Sequence, residues 1–344
     1  MDVDTQASQM SFSVSCKKSG LEYAGTNLNS LFAQRRNLAN PKFLSMLRQI
    51  LRFNREASRD LADADWNVTL FDYLDSAGYG GWFRSHYLIP MAAAIWSSPP
   101  STVAQFPARL FIQFFENHGL LTVSDQPQWR TVVGGSREYV ARLTQPFRSA
   151  IRTNCAVEQV IRRSDGVWVK SAAGEEKFDQ VVIACHSDQA LSLLGDPSKS
   201  ERSILGALRY ETNTATLHTD TRLLPASSRA QASWNYRIEG GPSGSAQVTY
   251  NMNLLQSLNT HNTYCVTLNA DHLIADVHRI RTFTYEHPLY TATSDAARRR
   301  RHEINGVNRT WYCGAYWGYG FHEDGFQSGV DIANQLRPGF AVAA

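Results

Sequence analysis

Apolar and polar positions follow two different periods along this chain, and the changes of period divide it. Over Met10–Tyr23 the period is two. Phe12, Val14 and Cys16 share one face, Lys17-Lys-Ser-Gly20 supplies a turn, and Leu21 and Tyr23 lie on a return strand, which predicts a β-hairpin. Two isolated strands are marginal, so this hairpin needs a surface to pack against. The spacing then changes to three and four: Leu28, Leu31 and Phe32, followed by Phe43, Leu44, Leu47, Ile50, Leu51 and Phe53. Pro41 opens the second of these helices, where its missing N–H costs nothing. Thr69-Leu-Phe-Asp72 reads as a capping box with Asp in place of Glu, opening a helix that stops at Gly78. Phe83–Trp96 predicts a helix or helix pair, broken by Ser97-Ser-Pro-Pro100, and Pro107–Leu120 predicts another. Residues 27–120 therefore read as a helical unit.

After residue 127 the period shortens again. Gln128–Arg137 predicts a short strand, a Gly134-Gly135 turn and the start of a helix through Tyr139, Val140 and Leu143. A β-meander follows: Ala156–Arg162, a turn at Ser164-Asp-Gly166, Val167–Lys170, and a turn at Ala173-Gly174. Phe178–Ala184 carries an unbroken apolar run, Val181 to Ala184, before Cys185-His-Ser-Asp188 and a helix over Gln189–Leu194. That pattern predicts a strand buried on both faces of a parallel sheet. Ala215–His218, Ala232–Tyr236, Ala246–Met252 and Tyr264–Leu268 alternate apolar and polar residues, which predicts a second sheet with one wet face. Arg279–Tyr285 adds a strand and Ser294–Arg301 a short helix.

The closing stretch, Thr310–Leu336, begins as an aromatic strand ending at Gly314 and passes through a turn at Gly318 and Gly320. From Gly325 it reads as a helix with apolar Phe326, Val330, Ile332, Ala333 and Leu336, stopped by Pro338-Gly339. A strand, a glycine-rich turn and a helix with small residues at its start can aim backbone N–H groups at an anion. An ordinary tight turn before a C-terminal helix has the same pattern.

The chain has 344 residues, 43% of them hydrophobic and 19% charged, with a net charge of +3; this is globular and long enough for two domains. Its basic run, Arg298–Arg301, reads as an exposed, solvated helix end, and no nucleic-acid partner is expected. Five cysteines are scattered without a C-x-x-C pair, which supports neither a zinc site nor a disulfide framework; a cytoplasmic location is the simplest. The acidic Met1-Asp-Val-Asp-Thr-Gln start has no signal-peptide core, and no apolar run is long enough to span a bilayer. Peripheral membrane contact and oligomeric state stay open. No nucleophile elbow, P-loop or metal-binding histidine cluster appears.

Three features together resemble the FAD-dependent amine-oxidase-like flavoproteins, a family of monoamine and polyamine oxidases, protoporphyrinogen oxidase and carotenoid desaturases. They are Val157-x-x-Val160 with Gly166-Val-x-Val169 and Phe178–Ala184, the Val133-Gly-Gly135 turn, and Gly314 with Gly325-Phe-Gln-Ser-Gly329. The hairpin, Pro90–Trp96 and Gly318–Gly325 are similar to a bacterial subgroup of NAD/FAD-binding proteins often encoded beside cyclopropane-fatty-acid synthase. The resemblance covers essentially the whole chain. It implies a mixed α/β fold: an incomplete Rossmann-like FAD-binding domain with a β-meander, plus a substrate domain of mixed sheet and helical cap. The corresponding regions are 1–127 (hairpin and cap), 128–204 (FAD domain, middle), 205–304 (substrate sheet) and 305–344 (FAD domain, C-terminal motif). One departure stands out, since the family's G-x-G-x-x-G turn occurs nowhere in the sequence. The expectation is a gene model beginning at an internal Met1 or a truncated gene.

By resemblance, Val157 contacts the FAD adenine and Ala184 lies near the cofactor. Gly314, Gly325, Ser328 and Gly329 place the last helix near the pyrophosphate or pyrimidine end of the flavin. Glu323 and Asp324 orient ribityl hydroxyls or simply cap that helix. Trp129, Arg130 and Gly134 approach the ring edge or a phosphate, and Arg130 alternatively forms a structural ion pair. His322 and His186 are the candidates for acid–base work, each also readable as a loop histidine. Trp96, Trp234, Tyr236, Tyr250, Asn251, Tyr316 and Trp317 are candidate pocket walls, or plain core. The implied activity is hydride removal from a small-molecule or lipid substrate, with an amine as runner-up; the rival is a non-catalytic remnant serving as a binding or scaffold protein.

Overall fold

The computed structural model describes residues 2–62, 68–122, 127–239 and 244–336; the predicted stop at Pro338-Gly339 lies outside them. The chain divides into two compact units, Met1–Pro146 with Glu211–His287, and Phe147–Tyr210 with Pro288–Ala344. In chain order the strands are β1 (Thr5–Ala7), β2 (Phe12–Cys16), β3 (Leu21–Ala24), β4 (Arg130–Val132), β5 (Val157–Arg163), β6 (Gly166–Ser171) and β7 (Gly174–Phe178). They continue as β8 (Val181–Ile183), β9 (Tyr210–His218), β10 (Trp234–Ile238), β11 (Val248–Asn251), β12 (Cys265–Leu268), β13 (Arg279–Pro288) and β14 (Thr310–Tyr312).

In the first unit the hairpin finds the surface it needs. It completes a seven-stranded sheet of order β13-β9-β12-β11-β10-β2-β3, with β2 running parallel to β10 so that Phe12 faces Trp234 and Val14 faces Tyr236. The row of Val14 and Tyr236 continues through Val248 and Leu268, and these four are buried. The helical block packs an aromatic core of its own. Phe53, on helix Pro41–Ala62, has no exposed surface and sits between the rings of Tyr79, Phe83 and Phe115 at 5.7, 5.6 and 6.4 Å. Thr69 caps helix Leu70–Ser76 by accepting from Asp72 N, and the helix ends before Gly78 at φ +68°.

The other face of the sheet is polar, as predicted, but it is not wet. Ser13, Asn235, Thr249, Thr267 and Thr216 stand opposite one another across five strands, and all are buried. Ser13 Oγ donates to Asn235 Oδ1 (2.8 Å), Thr249 and Thr267 share a hydroxyl bond (2.9 Å), and Thr216 reaches Thr282 on β13 (3.0 Å). The segment before β10 folds onto this face, with Ala232 N donating to Asn235 Oδ1 and Asn235 Nδ2 donating back to Ala232 O. His218 joins the row through Nε2, 2.7 Å from Thr267 Oγ1, while its Nδ1 accepts from Asp220 N. Because Nδ1 is the acceptor, the neutral ring carries its proton on Nε2 and donates to Thr267, whose own hydroxyl is then turned toward Thr249. Burial lowers the His218 pKa. Buried polar groups are tolerated when each has a partner, which is why the face can be covered.

The second unit holds the meander β5-β6-β7 and a separate two-stranded parallel sheet, β14-β8. Here the prediction of a strand buried on both faces fails. The Phe178–Ala184 run is divided between β7 and a three-residue β8, which pairs only with β14 among the described residues, and Val182 is 43% exposed. Burial of both faces requires neighbours on both edges and layers on both sides, and β8 has one neighbour.

A buried ion pair ties this unit together. Arg162 on β5 grips Glu201 with two bonds of 2.9 Å, and Tyr312 on β14 donates to Glu201 Oε1 at 2.6 Å. Asp196 receives Arg162 Nε at 2.7 Å. The Arg298–Arg301 run departs from its prediction at Arg298, while Arg299 and Arg300 are exposed as expected. Arg298 is buried, donating to Gly318 O (2.6 Å) and Asp295 (2.9 Å), while Arg299 pairs with Asp295, Arg300 with Glu303 and Arg301 with Asp331. Each charge is spent inside the unit, which ties helix Ala292–Arg299 to the Gly318 turn and to the last helix.

Candidate functional site

Two sets of candidate residues come together, one in each unit. In the second unit they gather at the carboxyl ends of β8 and β14, whose parallel pairing sets Ile183 opposite Tyr312 and sends both chains out at the same end. In open parallel sheets this end is where ligands lie. Exposed Ala184 follows β8, and His186 then leads into helix Ser187–Leu193, its ring stacked on Tyr210 at 4.4 Å and 10°. Gly314 follows β14, then the turn through Gly318 and helix His322–Leu336. Ser328 Oγ locks that helix to the strand end, accepting from Gly314 N (2.9 Å) and donating to Gly325 O (2.7 Å).

The helix starts three residues earlier than Gly325. Its predicted N–H cradle is therefore displaced: Gly325 N already donates to Phe321 O, and Glu323 and Asp324 occupy the first turn. Asp324 Oδ2 accepts from Phe321 N at 2.9 Å, which is the capping role. Two carboxylates at a helix start oppose a phosphate there and suit hydroxyl donors instead. His322 is exposed at the first helical position.

The glycines of this stretch differ in what requires them. A Cβ on Gly314 would lie 2.4 Å from the Tyr316 ring, and one on Gly318 would lie 2.2 Å from Asp324 Oδ1. A Cβ on Gly325 would make only ordinary contact, at 3.6 Å, and one on Gly329 would meet nothing within 4 Å. Gly318→Ala is therefore expected to displace Asp324 and cost about 1–3 kcal/mol. Gly329→Ala should be neutral or stabilise by about 0.5–1 kcal/mol, since a glycine inside a helix is otherwise a cost. Urea unfolding of the two variants checks both signs. Val157, at the start of β5, is 39% exposed. Tyr316 and Trp317, by contrast, are buried in the core of this unit, where Trp317 Nε1 donates to Tyr312 O. Burial raises the Tyr316 pKa well above its ordinary value.

The first unit contains an open cavity of about 440 Å³. Trp234, Tyr250 and Val266 stand in one row on β10, β11 and β12, with the Trp234 and Tyr250 rings edge-on at 5.0 Å. Met10, Met252 and Leu255 add apolar wall, and β4 contributes Arg130 and Thr131 beside Trp129. Arg130 is fixed by two bonds of 2.8 Å, Nε to Thr5 Oγ1 and Nη2 to Thr5 O, and it forms no ion pair among the described residues. Gly134 follows β4 at φ +81°, where a side chain would be strained.

Four of the predicted residues, Trp129, Arg130, Trp234 and Tyr250, thus meet in one place. Tyr236 lies one row further along β10, buried, and Trp96 is packed among Phe106, Phe111 and Phe114; neither lines the cavity. Asn251 turns its side chain to cap Met252–Leu255, accepting from Asn253 N and Leu254 N. Sequence reasoning missed Met10, Met252, Leu255 and Val266. The signal for Val266 was the alternation within its strand, usable only once strand order was known, whereas Met10, Met252 and Leu255 lie outside the strands. Among the described residues, no group of three or more His, Cys, Asp or Glu could hold a metal, and no helix is long and apolar enough to cross a membrane.

Residues 82–243 match the family described as flavin containing amine oxidoreductase. Among solved structures, the chain is similar to a CLA-producing fatty acid isomerase from P. acnes at 11% identity and a TM-score of 0.64, covering 96% of this chain and 81% of that one. It is likewise similar to cyclohexylamine oxidase from Brevibacterium oxydans IH-35A (11%, TM-score 0.63, 97% and 83%) and to a putrescine oxidase bound to putrescine (11%, TM-score 0.65, 97% and 83%). No curated protein sequence matches the chain significantly.

Proposed function

Because the chain is amine-oxidase-like in residues 82–243 and in its fold, we propose that it is an FAD-dependent oxidoreductase removing a hydride from an organic substrate. The observation that carries this reading is the pair Gly325 and Gly329. Both sit in a helix that packs against the carboxyl ends of parallel strands, and the chain's own packing requires neither. Bare helix backbone with no internal reason fits a ligand that approaches closely from outside.

The remaining residues fit the same group. Ala184 keeps the end of β8 small, and exposed Val157 offers a flat apolar contact to an aromatic ring. Glu323 and Asp324 present acceptors to sugar-like hydroxyls. Bound FAD would take up the electrons, while the protein supplies binding, orientation and electrostatics. In the first unit, the aromatic and methionine walls of the cavity suit an apolar small molecule.

The purified chain, supplied with FAD, is expected to retain flavin through gel filtration, with its visible absorption bands. Gly329→Leu should lower FAD affinity about tenfold, the loss of roughly 1.4 kcal/mol of contact, with the thermal midpoint unchanged or raised. A wild type that takes up no FAD, or a Gly329→Leu variant that binds it equally well, would overturn the reading.

A further inference from the structure

We propose that the first unit's cavity binds a flexible apolar chain ending in a carboxylate, with Arg130 as the anchor. It rests on the oxidoreductase reading only in calling this ligand a substrate. Among the described residues the wall carries one charged residue, Arg130, and no Asp or Glu. An ammonium ion entering here would find a guanidinium and no counter-charge, so an amine is disfavoured. Two of the wall's neutral polar groups are engaged: Ser8 Oγ donates to Leu255 O, and the Tyr250 hydroxyl bonds to Ser97. The wall thus offers a ligand apolar surface, a few neutral polar groups such as Thr131 and Gln256, and one cation.

Arg130 is prepared for the task. Its two bonds to Thr5 fix the plane of the guanidinium, and its Nη1 has no protein acceptor among the described residues. A fixed guanidinium loses little freedom on gripping a carboxylate. Methionine side chains adapt to an irregular or flexible apolar chain better than branched ones, and Met10 and Met252 stand on the wall with Leu255. Met10 and Trp129 are each 36% exposed, adjoining apolar surface of the kind that marks a binding groove.

The test uses the full chain without flavin, so its failure is read separately from that of FAD binding. Trp129 and Trp234 line the cavity, and tryptophan fluorescence is followed while decanoate, decanol or decylamine is added below micelle-forming concentrations. Saturable quenching by decanoate is expected, with decylamine at least tenfold weaker. Arg130→Gln should weaken decanoate about tenfold, as expected for one charge-assisted bond, and leave decanol unchanged, while Arg130→Lys keeps most of the affinity. Val266→Trp, which fills the cavity from the sheet, should abolish binding of all three probes. Equal affinity for decylamine and decanoate, Arg130→Gln binding decanoate like wild type, or undiminished binding to Val266→Trp each overturns the proposal.

Discussion

Glu201→Ala is expected to destabilise the second unit by about 3–5 kcal/mol, the cost of removing one member of a buried ion pair. Arg162 and Glu201 are almost wholly buried, 4% and 2% exposed at the side chain. The carboxylate receives two bonds from Arg162, one from Tyr312, and one from the Ser198 amide at 2.7 Å. Removing it leaves Arg162 with Asp196 as its carboxylate partner, and takes the acceptor from both the Tyr312 hydroxyl and the Ser198 amide. Arg162→Met/Glu201→Leu should recover part of the loss, because an apolar pair removes the buried guanidinium along with the carboxylate, while the Tyr312 hydroxyl and the Ser198 amide still lose their acceptor. Chemical unfolding followed by Trp168, Trp311 and Trp317 fluorescence reads both variants.

The same group sets an acid limb. Burial alone would raise the Glu201 pKa, but the hydrogen bonds from Arg162, Tyr312 and Ser198 outweigh it and hold the carboxyl at about 2. A carboxyl whose folded pKa is depressed stabilises the fold above its unfolded pKa of about 4.3. That contribution is lost as pH falls from there through about 2. Glu201→Gln should therefore unfold with a flatter pH dependence over this window than wild type. An unchanged slope would show that the pair is not coupled to folding.

The second large effect is expected from Asn235→Ala, about 3–5 kcal/mol from two or three buried groups at about 1–3 kcal/mol each. Asn235 is 2% exposed and makes four bonds: it accepts from Ser13 Oγ and Ala232 N, and donates to Ala232 O and Thr249 O. Water cannot reach the groups it leaves behind. Asn235→Asp keeps the acceptors but loses both donors and buries a charge, so it should cost as much or more. Denaturant midpoints of the two variants measure this, and a loss below about 1 kcal/mol for Asn235→Ala would mean the row is solvated.

Local features were readable because their causes are local. The Lys17–Gly20 turn, the Thr69 cap and the Gly134-Gly135 turn each depend on a few adjacent residues. The polar row was misread because alternation reports that one face is polar, not what covers it; its partners are 222 residues apart, as with Ser13 and Asn235. The arginine run shows both cases. Asp295 and Glu303 lie at helical spacing from Arg298, Arg299 and Arg300, and were visible as pairs, whereas Asp331 and the Gly318 carbonyl became neighbours only through the fold. The candidate residues were legible by type. Which of them share a cavity depended on sheet order, and that is why Trp234 and Tyr250 line it while Tyr236 does not.

The buried polar row across five strands of the large sheet also settles a problem that hydrophobicity leaves open. Apolar alternation forbids a one-residue slip between strands, which would turn every side chain over, but it accepts a two-residue slip, which keeps the same faces. Moving β10 by two residues would leave aromatic residues on the apolar side and yet bring Arg237 or Ser233 to the place of Asn235. Ser13 would lose its acceptor, the Thr249 carbonyl would lose the Asn235 amide, and Ser233 would lose Ser11, whose amide it accepts at 2.8 Å. The row works as a set of teeth: each donor meshes with one acceptor on the next strand, so the sheet closes in a single alignment, and the walls of the cavity on its opposite face are aligned with it.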